Sequence, residues 1–370
     1  MTKPATYADL GLPKRHEDWR WSNLKAIEAA LDASPRLAAN DAAPDLSDYM
    51  IPDHDGPVLI FVDGRYVEQG STPGHVKTEV EAHAPERGPL GALAAKHRAV
   101  RVVAKLGKRL HILHFASGGQ AHLDLHYDCP AGETMRVVET YVGGGECWTN
   151  VAVTATVADG GKVRRAVRLL QDGGVWTESV TGTVADAAHY GSVSMIGSAA
   201  SVRSEYSLVL GDKAHAQVDG TMVAGGTQIL DIIGRIRHEG VGGTSGQTWR
   251  MVAANRAQAS FAGRIEVARG AQQTDANEDI KALLLDRTAT VNAKPELEIF
   301  ADDVKCAHGA TVGELDPNAL FYLASRGVPE DDAKTLLTEA FVADAFEAVE
   351  NADLREMLGA DARRALERVR

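Results

Sequence analysis

From about Val100 to about Glu298 the sequence is a succession of short runs rich in Val, Thr and Ile, each closed by Gly or Asp, with almost no helical periodicity. WTNVAVTATVADGG, KVRRAVRLLQDGG, YSLVLGD, TQILDIIGRIRHEG and GRIEVARG are examples. About 200 residues of strand and turn can close only as a large sandwich, a barrel, a propeller or a solenoid. No blade-length motif such as a Trp-Asp pair recurs. Gly, Ala, Ser and Thr sit where successive coils would have to stack closely, so the pattern predicts a parallel β-helix in a mostly β chain.

Both flanks carry helical spacing. Trp21, Leu24, Ile27 and Leu31 predict a short amphipathic helix with Trp19 beside it. A connector rich in Pro and Asp then leads to the strand-like VLIFVDG, Val58 to Gly64, and a second helical patch surrounds Leu90 to His97. Beyond the β region, Asp316 followed by Pro317 predicts a helix start, and Leu320, Phe321, Leu323 and Ala324 form an apolar stripe ending at Gly327. A second helix begins near Pro329. Its stripe is Ala333, Leu336, Leu337, Ala340 and Phe341, and Glu330, Asp331 and Asp332 occupy its first turn, where the helix dipole favours negative charge. Leu354, Leu358, Leu366 and Val369 predict one more helix. The expected organisation is a helical domain with connector over 1–99, a β-helix core over 100–315 and a helical domain over 316–370.

Composition narrows the function. Lys and Arg total 39 against 51 acidic residues, a formal charge of -12, and no basic run compensates locally, which argues against a nucleic-acid partner. The start lacks an apolar signal core and no window approaches about eighteen uninterrupted apolar residues, so the expectation is a cytoplasmic chain with no membrane partner. Phosphate-cradling GxxxxGK[ST], GxSxG and HExxH motifs are all absent from the sequence, which argues against ATP hydrolysis and the common hydrolase chemistries.

Two constellations remain. His122, Asp124 and His126 fall at i, i+2 and i+4, which on a strand aligns two imidazoles and a carboxylate on one face, as a first-row metal site requires. The same spacing also describes an ordinary solvated strand face with Leu123 and Leu125 inward. The second constellation lies in ADDVKCAHGATVG, residues 301–313. Of three cysteines, Cys129 and Cys147 have no nearby cation and read as buried small hydrophobes, whereas Cys306 is flanked by Lys305 and His308, which would lower its pKa towards a thiolate. On a strand Cys306 and His308 share a face. Two soft ligands are half of a tetrahedral set, so the rest must come from elsewhere in the chain or from another molecule.

The run KPELEIFADDVKCAHGATVGELDPNALFYLASRGVPEDDAKTLLTEAF, Lys294 to Phe341, resembles the C-terminal signature of the SufD family, scaffold subunits of the SUF iron-sulfur cluster assembly machinery. LPKRHEDWRWSNL, Leu12 to Leu24, and GRIEVARGAQQTDANEDIKALLL, Gly263 to Leu285, resemble the family's N-terminal motif and last β-helix coils. The SufB paralogues resemble EHEATV where this chain has KCAHGATV, which favours the SufD branch. The resemblance implies a right-handed parallel β-helix with helical domains at both ends and a non-catalytic role. It implies pairing with a SufB-like paralogue through the last strands and docking of a SufC-like ABC ATPase through the C-terminal helices, where Leu320, Phe321, Leu323, Leu336, Leu337 and Phe341 fall. It further implies that His308 ligates a transient iron-sulfur cluster shared with the partner and that Cys306 is its interface neighbour, with no cofactor held tightly by the isolated chain. Two other readings stay open: a β-helix hydrolase or lyase using His122, Asp124 and His126, and a homodimer of the isolated chain formed by its last strands.

Overall fold

The computed structural model describes residues 17–32, 44–74, 77–80, 88–95, 99–103 and 107–369. Residues 12–16 of the N-terminal motif and His97 of the second helical patch lie outside them. The chain winds into a parallel β-solenoid of about seven turns. Its walls are a first sheet of ten strands, ending in the last strand Val304–Gly313, and a second sheet of nine, ending in the penultimate strand Thr290–Ile299. From Ala99–Val103 onward successive strands alternate between the sheets, so each pairs in parallel with the strand one coil away. Among the described residues antiparallel pairing occurs only at the start, between Val58–Val62 and Arg65–Thr72 and between Lys77–Val80 and Ala99–Val103.

Two-residue alternation drives this winding. In the strand Thr274–Leu284 the positions Thr274, Ala276, Glu278, Ile280 and Ala282 are buried while Asp275, Asn277 and Lys281 are exposed. Inward rows from both sheets meet in one continuous core that includes Val137, Val153, Trp176, Met222, Ile232 and Phe261. Many strands are buried on both faces, as parallel sheets usually are, because helices cover their outer sides. Strands begin at Val58, and Val58–Val62 pairs in parallel with Leu110–Ala116, so the segment before residue 100 contributes to the sheets as well as supplying helices.

The helices lie on opposite faces. Helix α1 (Leu24–Asp32) and helix α2 (Pro89–Ala94) cover the second sheet, where Trp19, Ile27, Leu31, Leu90 and Leu93 pack on Trp148 and Val175. Arg203 reaches from that sheet to stack over the Trp19 ring at 3.6 Å, and its Nη1 donates to Asp231 at 3.0 Å. At the other terminus come helices α3 (Pro317–Ser325), α4 (Glu330–Ala343) and α5 (Ala352–Val369). Asp316 caps α3 by accepting from the Asn318 N–H at 2.9 Å, with Pro317 at its first position, and Gly327 takes φ +85° just beyond it. Helix α5 lies on the first sheet, burying Leu358, Ala362 and Leu366 against a patch that includes Val193, Met195, Val223 and Val252. The approach is close: a Cβ on Gly225 would lie 2.4 Å from Val369 Cγ1.

The apolar stripe expected on α3 and α4 is only partly covered. No residue of α3 is buried, and Phe321 and Leu336 are 76% and 51% exposed, whereas Leu320, Leu323, Leu337 and Phe341 are half-buried. The buried face of α4 is Ala333, Thr338 and Val342. The reason is placement, since α5 and the end of α4 occupy the sheet and α3 packs mainly on α4.

Candidate functional site

The last strand closes the solenoid at one end, and its inward row is Val304, Cys306, His308, Ala310 and Val312. Register fixes this, because Cys306 pairs with buried Ala276, His308 with Glu278, Ala310 with Ile280 and Val312 with Ala282. Cys306 and His308 therefore share a face, and that face points to the space between the last strands of the two sheets. Among the described residues no further coil covers it. Cys306 is half-buried against the cluster of Ile265, Val267, Ala271 and Ala276, while His308 is exposed. In the same last coil Ile299, Phe300 and Val312 are 39%, 58% and 47% exposed, which leaves apolar side chains uncovered at this end of the solenoid.

The expected thiolate is corrected. Burial, aided by the Asp275 charge, raises the Cys306 pKa above its ordinary value. Lys305 sits on the opposite face of the strand and is exposed, so water screens its charge from the thiol. Burial likewise raises the Cys129 and Cys147 thiols, the latter to about 11, as suits their buried positions.

Sequence reasoning missed Glu278. This carboxyl lies one coil beneath His308, is fully buried, and among the described residues neither of its oxygens has a hydrogen-bond partner. Burial, with a smaller contribution from the Glu296 charge, lifts its pKa to about 8, so it is protonated at neutral pH. Gly263 on the facing sheet makes the room, since a Cβ there would fall 1.4 Å from Glu278 Oε1. One coil further in, Gln247 pairs in register with Glu278 and accepts from the Tyr206 hydroxyl at 2.5 Å. Polar side chains thus lead along the interior to the row that carries His308. The legible signal was the alternation of TDANEDIKALL, which puts Glu278 in phase with Ala276, Ile280 and Ala282.

Further along the interior, Arg165 donates through Nε and Nη2 to Glu139 at 2.6 and 2.7 Å and also contacts Glu178. The Tyr127 and Tyr141 hydroxyls each donate to Glu139 at 2.6 Å. The guanidinium holds the Glu139 carboxyl below the usual range although burial opposes this. Every strong donor here is matched, so the network braces the core.

His122, Asp124 and His126 do share the outward face, with Leu123 and Leu125 inward. His126 Nε2 lies 3.2 Å from Asp124 Oδ1, but the Asn150 amide donates to His122 Nδ1 at 3.1 Å and the His122 ring meets Trp148 edge-on at 5.3 Å. His122 and Asp124 are buried instead of solvated, because α2 covers this part of the second sheet; the same Asn150 amide also donates to Leu90 O at 3.0 Å. Among the described residues no three His, Cys, Asp or Glu side chains are arranged to hold a metal ion, and no helix is long and apolar enough to cross a membrane.

Residues 116–341 match the family model described as SUF system FeS cluster assembly, SufBD core domain. The iron-sulfur cluster assembly protein SufD of Escherichia coli (strain K12) is 27% identical over 94% of this chain and 88% of its own length. A protein named SufD from Bacillus subtilis (strain 168) is 32% identical over 36% of this chain and 30% of its own, and the chloroplastic protein ABCI7 of Arabidopsis thaliana 39% identical over 35% and 27%. A match across more than half of the chain, on a solenoid that ends in the Cys306 and His308 row, places this protein in the SufBD family of iron-sulfur cluster assembly proteins.

Proposed function

We propose that this chain is a scaffold subunit whose open solenoid end pairs with a SufB-like paralogue, and that His308, with Cys306 beside it, ligates a nascent cluster at that junction. The observation that carries the reading is the end row, where a half-buried thiol and an exposed imidazole share a face with exposed Val312 on strands that form the sheet edges, with exposed Phe300 in the same coil. Strand edges of this kind invite pairing with another chain. Iron accepts both imidazole and thiolate, and two donors from one side leave the remaining positions to the partner. A site divided between chains opens when the chains move, which suits a cluster that is cargo and must leave. The raised thiol pKa fits the same reading, because Cys306 stays protonated until metal or partner displaces its proton.

The exposed Phe321 and Leu336, with Leu320, Leu323, Leu337 and Phe341, form the surface proposed to dock a SufC-like ATPase. Family membership favours this scaffold role over a hydrolase built on His122, Asp124 and His126, whose buried hydrogen bonds to the fold leave little access for a substrate.

Anaerobic reconstitution with the paralogue and ATPase tests the proposal. His308→Ala is expected to reduce the cluster absorbance of the complex by about tenfold while leaving the unfolding transition unchanged, since the ring is exposed. Wild-type cluster yield from that variant complex would sink the ligand assignment.

A further inference from the structure

A cavity of about 270 Å³ lies between the first sheet and the segment that leads into α5, far along the solenoid from the Cys306 row. Its most distinctive wall is a stack of arginines. Arg136 pairs in register with Arg164 on the next coil, and Arg109 stands immediately before Leu110, whose partner is Val137. Arg109 and Arg136 are therefore neighbours, and three guanidinium groups come from three successive coils about 5 Å apart. Beyond them Gly191, in register with Arg164, keeps the wall low. The floor and far side are apolar: Val138 and Val193 from the sheet, Val349 and Leu354 from the helical segment.

The acidic groups at the cavity leave two of these guanidinium groups without a direct carboxylate contact. Glu350 is occupied by Arg164, at 2.8 Å from its Nη2. Asp353, in the first turn of α5, acts on Arg109 from a distance, yet burial and the Arg136 charge still lower the Arg109 pKa. Asp219, at the opposite end, accepts from Gln217 Nε2 at 2.6 Å and from the Thr248 N–H at 2.9 Å. Arg165 is turned inward to Glu139 and Glu178. Among the described residues neither Arg109 nor Arg136 forms an ion pair, so two guanidinium groups beside the cavity keep donors that no carboxylate engages. The start of α5 faces the same space, since Asn351, which caps it by accepting from the Leu354 N–H at 2.8 Å, is part of the lining, and a helix start adds positive potential.

We infer that this cavity binds a small phosphate monoester, with its phosphoryl group against Arg109 and Arg136 and its organic part on the Val138, Val193, Val349 and Leu354 floor. A carboxylate offers two oxygens in one plane, which a single guanidinium fork satisfies. A phosphoryl group offers three, which two neighbouring forks on adjacent coils can share. The apolar floor gives an ester an advantage over free phosphate. Nothing in this inference depends on the cluster-assembly role or on the open end of the solenoid.

Calorimetric titration of the full-length chain with phenyl phosphate, inorganic phosphate and benzoate tests it. Saturable one-to-one binding of phenyl phosphate is expected, weaker binding of the other two, and about a tenfold loss of phenyl phosphate affinity in Arg136→Ala, in keeping with the loss of a charge-assisted hydrogen bond. Arg136 is exposed, and Arg136→Lys, which keeps the charge without the fork, should fall between the two, so a fold defect and a lost contact are distinguishable. Absence of saturable phenyl phosphate binding, benzoate binding as tight as phenyl phosphate, or unchanged affinity in Arg136→Ala would each overturn the inference.

Discussion

Glu278 carries the sharpest consequence at the level of single residues. Its ordinary pKa is 4.5 and its folded value is about 8, so between those values the folded chain holds a proton that the unfolded chain has released. Its favourable contribution is fully present below about pH 4.5 and is lost as pH rises through about 8, at a slope of about 1.4 kcal/mol per pH unit. Glu278→Gln keeps the shape without the ionisation and is expected to flatten that slope. Urea unfolding of both chains at about pH 5 and about pH 8 measures it: the variant should gain stability relative to wild type by a few kcal/mol at the higher pH. Equal differences at the two pH values would show that the carboxyl ionises freely in the folded state. Gly263 belongs to the same account, because only a residue without Cβ leaves space for the Glu278 carboxyl.

Among elements, α5 depends on a contact that its apolar stripe does not reveal. Arg168 Nε donates to Asp361 Oδ2 at 2.6 Å and its Nη2 to Oδ1 at 3.2 Å, with both residues buried. The pair orients the helix on the sheet as well as holding it, since guanidinium and carboxylate must meet edge to edge. Asp361→Ala leaves Arg168 buried without its carboxylate and is expected to destabilise the chain by about 3–5 kcal/mol, more than the lost side-chain packing alone would cause. Removing both partners in Arg168→Met with Asp361→Leu should recover most of that loss. Chemical denaturation of both variants checks it, and a double variant no more stable than Asp361→Ala would show that the stranded Arg168 charge is not what the single substitution costs.

For the whole molecule, the two ends of the solenoid differ. The first coils carry antiparallel strands and short helices, whereas the last coil presents two strand edges and the exposed side chains Ile299, Phe300 and Val312. An end of this composition is expected to associate with its own copy when no paralogue is present. Phe300→Lys places a charge among these exposed apolar side chains and should shift the isolated chain towards monomer by about tenfold or more in sedimentation. A wild-type chain that stays monomeric at high concentration would count against a self-associating end.

Sequence and structure divide the explanation along physical lines. Local periodicity sufficed for the strand-rich core, for α1, for the Asp316–Pro317 helix start and for the phase that puts Cys306 and His308 on one face, because each depends on neighbours within a few residues. Register lay beyond it. Whether Glu278 lies under His308, whether Arg109, Arg136 and Arg164 stack, and whether Arg168 meets Asp361 all depend on residues tens or hundreds of positions apart, brought together by coil length and by where helices dock. The same holds for the Cys306 thiol: adjacent Lys305 suggested a lowered pKa, but burial against Ile265, Val267 and Ala276 decides it in the opposite direction. Burial is a property of the stack, and desolvation in a packed interior outweighs the screened charge of an exposed neighbour in sequence.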